Sequence, residues 1–142
     1  MKIAIVNGPN LNLLGKREPE LYGSQSFDDI LDNIRIRYPK IEFLYFQSNV
    51  EGELINHLQE LDSQNLKCVI LNAGAYSHTS IAIADCVKAI STPVIGVHMS
   101  NIYAREEERH TDLLSAACVG GIFGFGAKSY ELAIQSCIEK TP

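Results

Sequence analysis

The segment Asn7–Ser26, NGPNLNLLGKREPELYGSQS, follows a short apolar run, Ile3-Ala4-Ile5-Val6. It places Asn10, Arg17 and Tyr22 on one loop, with Gly15 and Gly23 bracketing the Arg–Tyr pair. Loops of this length are uncommon inside compact domains and are usually functional or disordered. Polar residues gather again just past later apolar runs: Asn72 and His78 after KCVILN, and His98, Ser100 and Asn101 at the end of PVIGVHMSN. These residue types serve anion binding and proton transfer. Arginine keeps its charge at physiological pH. Histidine, with an unperturbed pKa near 6.5, gains and loses a proton close to neutrality.

Positioning such groups requires a scaffold, and the chain alternates between two hydrophobic periods. Lys2–Asn7 reads as the first strand. Ser26-Phe27-Asp28-Asp29 resembles a capping box with Asp in the acidic position, and Ile30, Leu31 and Ile34 recur at helical spacing to about Tyr38. Pro39 ends that helix. Ile41–Gln47 is the second strand, and Ser48-Asn49-Val50-Glu51 can cap a second helix striped by Leu54, Ile55, Leu58 and Leu61. Lys67–Asn72 and Pro93–His98 are the third and fourth strands, separated by a helix carrying Ile81, Ala84 and Val87. Val119–Phe125 is a glycine-weakened fifth strand, and Tyr130, Ala133, Ile134 and Cys137 mark the last helix. Nearly wholly apolar strands alternating with helices predict an α/β fold: a flavodoxin-like, doubly wound, five-stranded parallel sheet in a three-layer α/β/α sandwich. Ligands of such sheets bind outside the carboxyl ends of the strands. On that rule Asn10, Asn72, His78, His98 and Ser100 can share one crevice.

The 142 residues suffice for a single domain with a substantial core. Hydrophobic residues make up 46% and charged residues 20%, an ordinary globular balance. A net charge of −5 argues against nucleic acid or an acidic membrane as the main partner, so an anionic ligand must be met by local arginines. Cys68, Cys86, Cys118 and Cys137 form no C-x-x-C pair and have no histidine at metal-ligand spacing. They are expected to be small, reduced, buried hydrophobes in the cytoplasm. Met1-Lys2 precedes only four apolar residues, too few for a signal peptide, and no apolar run reaches the length of a membrane span.

The segments GPNLNLLGKREPELYG, QSNVEGELINHLQ, LNAGAYSHTSIAIADC and PVIGVHMSNIYAREEERH, in this order, resemble the successive motifs of the type II 3-dehydroquinate dehydratases. The resemblance covers nearly the whole chain. It implies one catalytic domain, residues 1–142, with a mobile loop at about 15–25. It also implies a cytoplasmic lyase of the shikimate pathway, acting on 3-dehydroquinate with no metal and no organic cofactor. The implied assembly is a trimer that builds a dodecamer.

The implied reaction removes a proton beside a ketone and expels hydroxide as water. It needs a base, an enolate stabiliser and an acid. The resemblance assigns the base to Tyr22, with Arg17 beside it, the acid to His98, and the enolate contact to Asn10. It assigns substrate binding to Asn72, His78, Met99 through its backbone, Ser100 and Arg109. Asp85 would reach in from a neighbouring subunit. A tyrosine at its reference pKa of about 10 is ionised about once in a thousand at neutral pH, a deficit of about 4 kcal/mol. A cation at about 4 Å supplies about 4 kcal/mol at an effective dielectric near 20, so one arginine is about enough.

Three positions depart from the family pattern: Gly96 where a Glu usually precedes the catalytic His, Ala73 where Pro is usual, and Ser77 where Thr is usual. The absent Glu would have partnered His98. Glu20 or Glu53 could take its place, a water and a carbonyl could orient the ring, or the protein could be inactive. Blander readings stand beside these. His78 could cap a helix, His98 could be a satisfied core histidine, Asp85 could be a helix–helix contact, and His57 and His110 could be surface residues. Gly120–Gly126, GGIFGFG, has the wrong spacing and place for a dinucleotide loop and reads as close packing. In REEER, Arg105 reads as a loop clamp or charge partner. A nucleotide- or flavin-binding module is the rival function, but Asn7–Leu14 lacks the glycine-rich nest it would need.

Overall fold

The computed structural model describes residues 1–139. Strands β1 (Lys2–Asn7), β2 (Glu42–Gln47), β3 (Cys68–Asn72), β4 (Val94–His98) and β5 (Gly120–Phe123) form one sheet in the order β2-β1-β3-β4-β5. Every pairing is parallel. This is the flavodoxin-like order expected from the alternation of strands and helices, with β5 shorter than its apolar run suggested.

Helices α2 (Phe27–Arg37), α3 (Glu51–Leu61), α4 (Ile81–Ala89) and α5 (Lys128–Glu139) cover the sheet on both faces. Alternate residues of β1 face opposite ways: Ile3 and Ile5 join Phe27, Ile34, Tyr130 and Ile134, while Ala4 and Val6 join Leu54, Leu58, Ile83 and Val87. Each fully buried aliphatic side chain contributes about 1.5–3 kcal/mol, and the two-sided burial explains why β1 and β3 read as continuous apolar runs. Ser26 Oγ accepts from the Asp29 amide at 3.2 Å, so the predicted cap of α2 forms. At α4 the cap is Ser80, whose Oγ accepts from Ile83 N at 2.9 Å, and not His78.

Two expectations need correction. The long first loop contains a one-turn helix, α1 (Pro19–Tyr22), started by Pro19 at its first position. The cysteines are not all free: Cys86 and Cys118 are, but Cys68 on β3 and Cys137 on α5 are disulfide-bonded, with Cα atoms 6.3 Å apart. Their separation of 69 residues carries no sequence signal for pairing. Among the described residues, no helix is long and apolar enough to cross a membrane.

Candidate active site

The carboxyl ends of β1, β3 and β4 open into one cleft. In register, Asn7 at the end of β1 pairs with Asn72 at the end of β3. The loops leaving them touch: Gly8 N donates to Asn72 O at 2.7 Å, and a Cβ on Gly8 would collide with the Ala73 carbonyl. Asn10 follows in the left-handed region at φ 69°, which Asn tolerates better than most residues. Leu11 and Leu14 anchor the loop in the core. Gly15 (φ 89°) and Gly23 (φ 85°) turn the chain at either end of the segment that carries Arg17 and Tyr22.

Asn10, Arg17, Tyr22, Asn72, His78, His98, Met99, Ser100 and Arg109 all line this cleft, together with Arg105. Asp85 does not; it is exposed on α4. Beneath the cleft, Asn72 Nδ2 donates to Tyr130 Oη at 2.8 Å, and Tyr130 donates onward to Asn7 Oδ1 at 2.8 Å. Burial pushes the Tyr130 hydroxyl well above the usual tyrosine range, so it remains a protonated donor. Asn72 Oδ1 also accepts from Gly74 N at 3.2 Å. The amide is therefore held from two sides.

Two guanidinium groups flank Tyr22. Arg17 lies over its ring, Cζ 5.2 Å from the centroid, and Arg105 lies 5.6 Å from the same point. The direct contact with the hydroxyl comes from Arg105, whose Nη1 donates to Tyr22 Oη at 2.9 Å and to Ser100 Oγ at 3.2 Å. The ring therefore has two cations, and the one that meets its oxygen is Arg105, the residue of REEER expected to act as a loop clamp or charge partner. Arg109 is held by Glu106, Nε to Oε1 at 2.5 Å.

The two histidines stack at 5.6 Å between centroids. His78 Nδ1 lies 2.8 Å from the Thr111 carbonyl, which can only accept, so Nδ1 carries the proton. His98 Nε2 lies 2.9 Å from Asp112 Oδ2, with both side chains largely buried. Burial alone would raise the Asp112 carboxyl. The hydrogen bond and charge of His98, with contacts to Leu114 and Ser115, outweigh burial and hold it below the usual carboxylate range. The carboxylate beside His98 is therefore neither Glu20 nor Glu53. Glu53 instead bonds Ser48 Oγ on the far side of β1. Asp112 lies in HTDLLSAA, a stretch without periodicity, and 14 residues separate it from His98, so only an Asp in an otherwise featureless loop could have drawn notice. Among the described residues, no group of three or more His, Cys, Asp or Glu side chains is placed to hold a metal ion.

Residues 1–138 match the family model described as dehydroquinase class II. The 3-dehydroquinate dehydratase of Fusobacterium nucleatum is 50% identical, over 98% of this chain and 97% of that one. The 3-dehydroquinate dehydratase of Exiguobacterium is 51% identical, over 98% of this chain and 95% of its own length. Among solved structures, the type II dehydroquinase of Butyrivibrio crossotus superimposes with a TM-score of 0.95 at 39% identity, covering 98% of both chains. With the family model matched from end to end of the sheet, and half of all positions shared with such relatives, the chain belongs to the class II dehydroquinase family.

Proposed function

We propose that this protein is a hydro-lyase that converts 3-dehydroquinate to 3-dehydroshikimate, with Tyr22 as base and His98 as acid. The observation that carries this reading is the convergence of Arg17, Tyr22, Asn72, His78, His98, Arg105 and Arg109 on one cleft at the carboxyl ends of the strands.

In this mechanism the Tyr22 phenolate takes the proton beside the ketone. The hydrogen bond from Arg105 and the guanidinium of Arg17 over the ring both favour negative charge on that oxygen. Negative charge then moves to the ketone oxygen as an enolate, where Asn10 assists. Collapse of the enolate expels the leaving hydroxyl in an anti elimination, and His98 protonates it to water. Asn72, His78, Ser100, the Met99 backbone and Arg109 hold the substrate carboxylate and hydroxyls. No metal or organic cofactor enters this scheme.

The cleft holds only about 50 Å³ of free volume, far below the roughly 300 Å³ of a typical small-molecule site. A cleft that small must widen to admit substrate, and Tyr22 and Arg105 meet among its lining residues. That supports a loop at about 15–25 that opens and closes on the glycines at 15 and 23. The same reading takes the chain as a single catalytic domain in trimers that build a dodecamer, with Asp85 completing the site of a neighbour. The compartment is the cytoplasm. The bonded pair Cys68–Cys137 is 2% and 4% exposed, so it is shielded from soluble reductants and does not itself decide the compartment.

The test is direct. Purified protein mixed with 3-dehydroquinate should generate the enone absorbance of the product. An unchanged spectrum at micromolar enzyme would reject the reading.

A further inference from the structure

We infer that Asp112 is the positioning residue of His98, and that the turn Thr111–Ser115 supplies from a loop the carboxylate that Gly96 cannot supply from β4. This rests on the dehydratase reading above.

Three observations converge. First, Asp112 is held for one task. Its Oδ1 accepts from Leu114 N at 2.9 Å and from Ser115 N at 3.2 Å, which fixes the carboxylate plane and leaves Oδ2 for His98 Nε2 at 2.9 Å. Second, Gly96, His98, Asp112 and Ser115 line one cavity of about 240 Å³ that shares His98 with the active-site cleft. A Cβ on Gly96 would make only ordinary contact there, 3.6 Å from Cys118 Sγ. Asp112 and a side chain at position 96 would thus approach His98 through the same space. Third, the preceding residue holds the other histidine, since the Thr111 carbonyl accepts from His78 Nδ1 at 2.8 Å. One short turn therefore orients both stacked rings.

The chemistry follows from the partner. An ionised carboxylate only accepts, so it keeps a proton on Nε2 and leaves Nδ1 as the nitrogen that can pass a proton to the leaving hydroxyl. A nearby negative charge also favours the imidazolium that a general acid must be. The other groups around His98 include His78 ahead of α4, Arg17 and Tyr22 from the first loop, and Arg105 and Arg109 after β4. The arginines oppose the imidazolium, so the Asp112 carboxylate acts against a positive field. Cys118 faces Asp112, but burial first and the Asp112 charge second push its thiol up to about 11, so it adds no competing negative charge.

The experiment compares kcat and KM for 3-dehydroquinate across pH in the native enzyme, Asp112→Asn, and Asp112→Asn combined with Gly96→Glu. Asn keeps the acceptor for Leu114 and Ser115 but removes the charge. It should lower kcat by about 10–100-fold, less than the about 10²–10⁴-fold expected of a general acid's own removal. KM should stay nearly constant, and the alkaline fall of activity should move to lower pH. Gly96→Glu should return much of the lost kcat and move the fall back up. Imidazole ¹⁵N spectra of the native protein need no variant and should show neutral His98 protonated on Nε2. A bare Nε2 would overturn the proposal, as would an Asp112→Asn profile superimposable on the native one or an activity loss without any pH displacement. If the native enzyme itself does not turn over 3-dehydroquinate, the dehydratase reading fails instead, and the spectra still judge the His98–Asp112 pairing.

Discussion

Arg105 Nη1 donates to Tyr22 Oη at 2.9 Å across a sequence separation of 83 residues, while Arg17, from Tyr22's own loop, lies over the ring face. The two cations therefore do different work. Arg105 meets the oxygen directly and also donates to Ser100, two residues past the end of β4. Arg17 lies on the same segment as Tyr22, between Gly15 and Gly23.

Substitution at these positions should separate the roles. Tyr22→Phe keeps the ring and removes the oxygen, and should lower kcat by about 10²–10⁴-fold with KM nearly unchanged, the pattern for loss of a group used only in the transition state. Arg105→Ala should be comparably damaging. Arg105→Lys should recover only part of the activity, because a point charge cannot serve Tyr22 and Ser100 together as a planar fork does. A Tyr22→Phe enzyme within tenfold of the native rate, measured by enone formation, would remove Tyr22 from the base position.

Gly8 supports the site through backbone proximity rather than chemistry. The Ala73 carbonyl occupies the space a Cβ would need, and Gly8 N donates to Asn72 O. Gly8→Ala must push the loop after β1 away from the loop after β3, at a cost of about 1–3 kcal/mol. It should lower the thermal midpoint and also raise KM, since Asn72 and Asn10 flank the displaced backbone. Gly52→Ala is the control. Nothing lies within 4 Å of a Cβ there, and in the first turn of α3 alanine should be neutral or stabilising by up to about 1 kcal/mol.

Much of this was legible in the residues. The ends of β1 to β4 follow from apolar runs that stop at Asn7, Gln47, Asn72 and His98, and a parallel sheet must present such ends on one side. That geometry alone gathers Asn72, His78, His98 and Ser100. What stayed hidden depended on loops returning to the sheet. Arg105 reads from the sequence as a loop clamp or charge partner, but its contact with the Tyr22 hydroxyl does not, and Asp112 carries no reading at all; both lie in a segment of short 3₁₀ turns with no period to mark which side chain turns inward. Hydrogen bonds across 83 and 14 residues place them, and no local pattern encodes those contacts. The Cys68–Cys137 pairing was hidden for the same reason.

Acid should destabilise the fold through carboxylates with depressed pKa values, Asp62 and Asp112 together with the exposed Glu106. Asp62 Oδ1 accepts from Thr92 Oγ1 (2.8 Å), Thr92 N (2.7 Å) and Ser91 N (2.9 Å), and the Thr92 hydroxyl is the largest cause of its lowered pKa. Asp112 is lowered by its His98 contact against the cost of burial. A depressed folded-state pKa gives stability that is complete above the unfolded value, 3.8 for Asp62 and Asp112, and is lost as pH falls through the folded value. The melting temperature should therefore drop increasingly below pH 4, with these groups adding no slope between pH 5 and 7. Asp62→Asn should melt lower than the native protein at pH 7, and the gap should narrow in acid. A gap of constant size from pH 7 down to the acid limit of folding would show that the Asp62 charge contributes nothing.

Asp85 is exposed on α4 and absent from the cleft of its own chain, which is the arrangement a shared site requires. If it completes the site of a neighbouring subunit, Asp85→Ala should raise KM more than it lowers kcat, and sedimentation should show weaker trimers. Mixed oligomers give the sharper test. A Tyr22→Phe subunit has no base but still offers Asp85 to its neighbour. An Asp85→Ala subunit keeps Tyr22, Arg17 and His98 but offers no carboxylate. Each protein alone should be impaired. Unfolded together and refolded, they should form trimers in which an Asp85→Ala subunit receives the carboxylate of a Tyr22→Phe neighbour, and activity should exceed the sum of the two separate preparations. Simple additivity in co-refolded trimers, or a fully active native monomer in the ultracentrifuge, would place Asp85 outside the catalytic unit and leave each chain with a self-contained site.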